Sequence, residues 1–251
     1  MVKKKSARGR TPDKRFYGAL VLIAVVGVAL LAWLAARPKR VVSAVDPALP
    51  PAQAEGYLMG NANAPVQIIE FADFECPGCA QFATVTEPDV RKRIVDAGLA
   101  SYRFYDFPLP QHRNSIPASS AAACANDQGK FWEMHDRIFA GQYDWNTQAV
   151  RNPKGVFERY AKEIGLDTDK WEECYDSGQH LAQIEANRRE GERRMIGSTP
   201  TFIIGKRQIP GNLSYDELKA YVDSAAADGA SGAPATSNAP TSAPARPTTP
   251  R

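Results

Sequence analysis

The residues best equipped for chemistry are two cysteines three apart, in the stretch Ile68-Ile69-Glu70-Phe71-Ala72-Asp73-Phe74-Glu75-Cys76-Pro77-Gly78-Cys79. Side chains at i and i+3 share one side of a helical turn, so this pair can close a small disulfide. If Cys76 opens a helix, the unpaired N–H groups and the macrodipole there favour its thiolate. Pro77 suits the first helical position, where no N–H donor is needed. Cys76 is therefore expected to be an exposed, acidic nucleophile and Cys79, deeper in the helix, the resolving thiol. Glu70 lies inside the preceding apolar run. It is either an edge or outward position, or a buried acid with a raised pKa that can move protons. Zinc would need four ligands. Cys124 and Cys174 lie far off and do not form a second Cys-x-x-Cys, and His112, His135 and His180 show no finger-like spacing, so neither metal nor cofactor is expected.

These residues need elements to hold them. Pro65 to Phe74 reads as a strand buried on both faces. Ala80 to Ala97 reads as a helix with Val85, Val90, Ile94 and Val95 inward, kinked or split at Pro88 and ended by Gly98. Ala100 to Phe107 alternates as a second strand. Residues 112–197 read as mostly helical: Asn114–Asn126, Gly129–Phe139, Asn152–Ile164, Asp167–Asp176 and Gln179–Ile196. Thr201–Ile204 and Lys206–Ile209 form a hairpin about Gly205. Ser214 and Glu217 make a capping box that opens a last helix with Leu218, Tyr221 and Val222 inward. The expected class is an α/β sheet with a helical insertion.

Charge is unevenly distributed. Residues 1–40 hold ten Lys/Arg against one Asp, whereas the remainder holds 21 basic against 27 acidic residues. A mildly acidic folded region argues against nucleic-acid binding. Residues 1–15 form a basic segment, and 16–36 contain no charge over a length matching the hydrocarbon core of a bilayer, about 30 Å. The positive-inside rule places the N-terminus in the cytoplasm and the later residues outside. A cleaved signal peptide ending near Val42-Ser43-Ala44 is the competing reading, but the apolar run exceeds the usual signal core. Residues 37–56 read as a Pro-stiffened spacer able to reach about 60 Å, and 227–251 as a disordered Ala/Pro/Ser/Thr tail.

The strand–Cys-x-x-Cys–helix line resembles the thioredoxin superfamily, and IIEFADFECPGC is most similar to membrane-anchored bacterial DsbA-like thiol:disulfide oxidoreductases. The resemblance covers about residues 57–224 and implies a thioredoxin-like fold interrupted by a helical insertion, with the domain spanning 57–226. It implies that Glu70, six residues before Cys76, lies beneath the pair and helps take a proton from the second thiol. It also implies that Pro200, in Ser198-Thr199-Pro200-Thr201, is a cis-proline facing the cysteines, with Thr199, Pro77 and Gly78 beside the substrate. Oxidising members carry His where this chain has Gly78, so a donor to the thiolate is missing. In an oxidising compartment Cys124 and Cys174 are expected to bridge, as a comparable pair does in many anchored relatives; two buried free thiols are the alternative.

The expected activity is disulfide donation to reduced or unfolded extracytoplasmic proteins from a single-pass cell-membrane protein. The resemblance implies reoxidation by a quinone-linked DsbB- or VKOR-type membrane partner. A reductase (of apocytochrome thiols, for example) or isomerase in the same fold, or a peptide-binding chaperone, are the alternatives. Other polar residues are read as structural. His112 and Arg113 are loop surface or lie near the active face. Glu75 opposes the thiolate or faces solvent. Trp132, Trp145 and Trp171 pack, and Arg188, Arg189, Arg193 and Arg194 with Glu185, Glu190 and Glu192 form a solvated helix face.

Overall fold

A computed structural model of the chain describes residues 14–35, 43–44 and 54–231. Most of the spacer, the basic residues 1–13 and the tail beyond 231 lie outside the described residues. The chain divides into two units, Met1–Arg40 and Val41–Arg251. The first contains α1 (Lys14–Ala35), a 22-residue helix. Among the described residues no helix is long and apolar enough to cross a membrane.

The second unit is built on a six-stranded sheet: β1 (Ser43–Ala44), β2 (Tyr57–Met59), β3 (Gln67–Ala72), β4 (Ser101–Asp106), β5 (Thr201–Ile204) and β6 (Arg207–Pro210), in the order β1-β6-β5-β3-β4-β2. Among the described strands only β3 and β4 run parallel. Within the expected spacer 37–56, Ser43 and Ala44 pair with Gln208 and Arg207 of β6. Strand β3 sits between β4 and β5, with Glu70 opposite Phe104 on one side and Phe202 on the other. Alternation along β3 then sorts two cores. Ile68, Ala72, Phe104, Phe202 and Ile204 enter the larger one, and Phe71, Phe107, Ile196 and Ile203 the smaller.

After β3 come α2 (Pro77–Gln81), a π-helical segment Phe82–Thr86, α3 (Glu87–Val90) and a second π-helical segment, Arg91–Val95. The expected break at Pro88 takes this form: a residue without an N–H cannot continue the i→i−4 ladder, and flanking i→i−5 bonds absorb the slip. The extra residue per turn rotates the apolar stripe. Val90, Ile94 and Val95 are buried, but Val85, expected inward, is 69% exposed.

Between β4 and β5 lies the helical insertion: α4 (Ser115–Asn126), α5 (Phe131–Ala140), α6 (Gln142–Trp145), α7 (Lys154–Glu163), α8 (Thr168–Ser177) and α9 (Leu181–Arg193). Helix α4 carries buried Ala118, Ala121, Ala122 and Ala125, small side chains that let neighbouring helices approach. Cys124 and Cys174 form a disulfide joining α4 to α8, across 50 residues. Helix α9 closes on the smaller core at Gly191, where an added Cβ would fall 2.4 Å from the Phe107 ring. Its mixed charges are not all solvated: Glu190 is buried and bound by Arg193 and Arg194, correcting the expectation for that face. Trp145 and Trp171 are fully buried, and Trp132 partly so.

The capping box forms, with Ser214 N donating to Glu217 Oε2 at 2.9 Å. It opens α10 (Tyr215–Ser231), whose Leu218 and Val222 are buried and whose Tyr221 is partly buried. The helix runs past Ala227, the expected start of the tail, because Ala225–Ala227 are strong helix formers.

Candidate active site

Cys76 occupies the N-cap of α2 in extended conformation, with Pro77 at the first helical position. Both cysteines are free thiols; Cys76 is half-buried and Cys79 fully buried. The Thr199–Pro200 bond is cis. It brings Thr199 O within 3.4 Å of Cys76 Sγ, and the neutral thiol donates to it. An added Cβ at Gly78 would lie 3.4 Å from Pro200 Cδ and 3.7 Å from Cys76 Sγ. Thus Cys76, Gly78, Cys79, Thr199 and Pro200 form one constellation, although Cys76 and Thr199 are 123 positions apart in the chain.

The two thiols differ electrostatically. Cys76 is lowered to about 5, mainly by a hydrogen bond from the Cys79 thiol. Burial opposes this, and the Thr199 side chain and the N–H groups of Cys79 and Gly78 add to it. Cys79 is pushed well up, first by burial and then by serving as donor to Cys76, with the charges of Cys76 and Glu70 adding. Glu70 is also buried, which settles its two readings in favour of the interior acid. Burial raises its pKa well above the carboxylate range, and the charge of Glu87 raises it further. The Tyr102 hydroxyl donates to Glu70 Oε2 and acts the other way.

Several residues that hold the site carry no motif. Asp73 is buried and accepts from Glu75 N at 2.8 Å, Leu109 N at 2.8 Å and the Ser115 hydroxyl. His112 Nδ1 lies 2.7 Å from the same carboxylate. His112 is therefore not loop surface, whereas Arg113 is exposed and bonds Thr147. Glu75 does not face solvent either. It is buried and accepts from Asn114 N at 2.8 Å and from Thr147 N. Gln142 of α6 donates to Phe74 O at 2.8 Å and Cys76 O at 3.1 Å. The insertion thus grips the active-site turn through its backbone. The one sequence signal for these roles was Asp73 itself, two residues before an N–H it can bond as an Asx-turn.

The sheet order, the helical insertion and this paired-thiol site define a protein of the thioredoxin class. A family model described as thioredoxin matches residues 53–224, and the chain belongs to that family. The chain is 25% identical over 168 residues to disulfide bond formation protein D of Bacillus subtilis, covering 66% of this chain and 75% of that protein. The oxidised BdbD structure from Bacillus subtilis superposes with TM-score 0.63 at 24% identity, covering 74% of this chain and 99% of that one. Wolbachia pipientis alpha-DsbA1 superposes at 0.64 with 20% identity, covering 73% and 96%. Na(+)/H(+) antiporter NhaA 3 of Salinispora tropica is 32% identical over 220 residues, or 82% of this chain. The chain spans about a third of the length of such antiporters, covering 32% of that one.

Proposed function

We propose that the protein donates disulfides to reduced or unfolded proteins outside the cytoplasm. The observation that carries this reading is the difference between the two thiols of one pair: Cys76 is lowered to about 5 and Cys79 is raised. A substrate thiolate attacks oxidised Cys76. The Cys76–Cys79 bond breaks, and Cys79 leaves and takes a proton from Glu70. A second substrate thiolate then attacks the substrate sulfur of the mixed disulfide. A substrate disulfide forms, and Cys76 departs as a stabilised thiolate, which favours donation. The cis peptide at Pro200 and the side chain of Thr199 border the nucleophile and receive the substrate backbone there.

The protein acts at the cell membrane, held by residues 16–36 with its N-terminus cytoplasmic. This part rests on the sequence alone: residues 16–36 carry no charge, and seven basic residues precede them. A quinone-linked membrane reoxidase of the DsbB or VKOR type returns Cys76–Cys79 to the disulfide.

A second reading, reductase or isomerase, is favoured by Gly78, which offers no side-chain donor to the thiolate. The test mixes the oxidised protein with a reduced, unfolded substrate and follows substrate disulfides by mass. Stoichiometric transfer supports donation. No transfer, together with insulin reduction by the dithiol form, replaces donation with reduction.

A further inference from the structure

Phe74, Glu75 and Cys76, consecutive in the active-site turn, are all bound by the helical insertion, and one side chain makes two of the bonds. Gln142, at the start of α6, is buried. Its Nε2 donates to Phe74 O at 2.8 Å and to Cys76 O at 3.1 Å. An amide nitrogen carries two hydrogens, and this one uses both on the turn. Glu75, between the two carbonyls, is held by its carboxylate, which accepts from Asn114 N and Thr147 N.

The approach of Gln142 is itself fixed. Gly141 joins α5 to α6, and a Cβ there would lie 2.0 Å from the Tyr160 hydroxyl oxygen of α7. Glycine is what lets the chain pass so close. The Tyr160 hydroxyl donates to Gly141 O at 3.4 Å, and the Arg137 guanidinium lies 4.2 Å from the centre of the Tyr160 ring. At the other end of α6, Trp145 Nε1 donates to Ile138 O at 2.9 Å, and Asn114 Nδ2 donates to Trp145 O at 2.8 Å. The four-residue helix that carries Gln142 is therefore braced at both ends.

Two peptide planes meet at the Cys76 Cα. The Glu75–Cys76 plane is held by Cys76 N, which donates to Asp73 O at 3.0 Å. The Cys76–Pro77 plane can be held only through its carbonyl, because Pro77 has no N–H. Cys76 O accepts from Ala80 N at 3.1 Å, within α2, and from Gln142 of the insertion. The rotation between the two planes, ψ 123° at Cys76, sets where the sulfur stands relative to the N–H groups of Gly78 and Cys79 that help lower its pKa. Ala80 alone would leave that carbonyl one bond, in the first turn of a five-residue helix, where helices fray.

We propose that Gln142 is a positioning residue for thiol exchange: by pinning the Phe74 and Cys76 carbonyls it keeps the Cys76 sulfur turned toward the N–H groups that open α2, and the insertion thereby sets how well Cys76 leaves. This rests on the oxidoreductase reading of the Cys76–Cys79 site. Gln142 bonds the backbone and not the sulfur, so it acts through the orientation of Cys76. When a second substrate thiolate attacks the mixed disulfide, the substrate disulfide forms and the bond from the substrate sulfur to Cys76 breaks. Its electron pair leaves on Cys76 Sγ. The N–H groups meet that charge at the orientation Gln142 holds. Without the two bonds the Cys76–Pro77 plane turns more freely, the thiolate loses donors, and the Cys76–Cys79 disulfide becomes a weaker oxidant.

The test compares the full chain with Gln142→Met, an unbranched side chain of similar length that has no N–H to donate. Two quantities are read: thiolate absorbance of the reduced protein across pH, and the equilibrium of the Cys76–Cys79 disulfide with glutathione. In the variant the Cys76 midpoint is expected to rise from about 5 by about one unit, and the glutathione equilibrium to move about ten-fold toward the protein disulfide. The control replaces Cys124 and Cys174 by Ala, which loosens the insertion without touching the turn. It is expected to lose stability and keep both readings. A Gln142→Met protein that is less stable yet keeps the wild-type midpoint and equilibrium overturns the proposal, and so does a control that shifts both readings as far as Gln142→Met does. Should Gln142→Met fail to fold, the side-chain amide resonances of Gln142 in the reduced wild type decide. They are expected to move with the Cys76 midpoint and to stay fixed over the same range in Cys76→Ser; resonances that ignore the Cys76 titration overturn the proposal. A wild-type protein that exchanges with no thiol at all would sink the oxidoreductase reading itself, and the proposal with it.

Discussion

His112 Nδ1 lies 2.7 Å from Oδ2 of Asp73, a contact between residues 39 apart in the chain. Asp73 also accepts the N–H of Glu75, and its own carbonyl accepts the N–H of Cys76 at 3.0 Å. One carboxylate therefore shapes the turn that presents the nucleophile and ties it to the loop leaving β4. The hydrogen bond to Asp73 raises the His112 pKa. A group whose folded pKa is raised lends stability that is fully present below its unfolded value, about 6.5, and lost as pH rises through the folded value. In His112→Gln the melting temperature should therefore fall most below pH 6.5 and converge with the wild type at alkaline pH. A deficit that grows with pH would contradict the ion pair.

For Cys76 the sign is opposite. Its folded pKa of about 5 lies below that of an unfolded thiol, about 8.5. The stability it lends the dithiol form is present above the unfolded value and lost as pH falls through about 5. The reduced protein should melt above the oxidised one near neutrality, and the gap should narrow steadily between pH 8.5 and 5. Thiolate absorbance near 240 nm should titrate in the same window and vanish in Cys76→Ser.

Glu70→Gln should separate stability from rate. The pKa of Glu70 is raised, so this acid stabilises the fold only while protonated, and the contribution disappears as pH rises through the folded pKa. The amide cannot ionise, so the variant should unfold at higher denaturant than the wild type at alkaline pH. It should also resolve mixed disulfides on the order of 100-fold more slowly. An unchanged rate would remove Glu70 from the proton path.

The second pair should behave as a staple. Replacing Cys124 and Cys174 by Ala opens a 50-residue loop and should cost roughly 4 kcal/mol by chain entropy, read from chemical denaturation. Thiol exchange at Cys76 should persist in the variant at temperatures where it remains folded. Loss of exchange in folded protein would mean that the pair takes part in the chemistry.

Local sequence determined much of this protein. The Cys76-Pro77-Gly78-Cys79 turn, the apolar β3, the capping box at Ser214 and the helical insertion follow from periodicity and terminal chemistry, which act within a few residues of chain. The resemblance carried Pro200 and the Cys124–Cys174 bridge to their places. Tertiary structure decided what depends on distant partners. Glu70 could be read as exposed or interior until β4 and β5 enclosed it on the central strand. Val85 followed the helical stripe in sequence, but the ladder slip at Pro88 turned it outward. Glu75, His112 and Glu190 look like surface charges in sequence and are held inward by Asn114, Asp73 and two arginines, contacts spanning 39 residues in the first two cases. The fate of a charge depends on the dielectric and the donors around it, and those are fixed only when remote segments meet. The two cysteines share that dependence: spacing made them a pair, and the burial of one and the capping position of the other made them unequal.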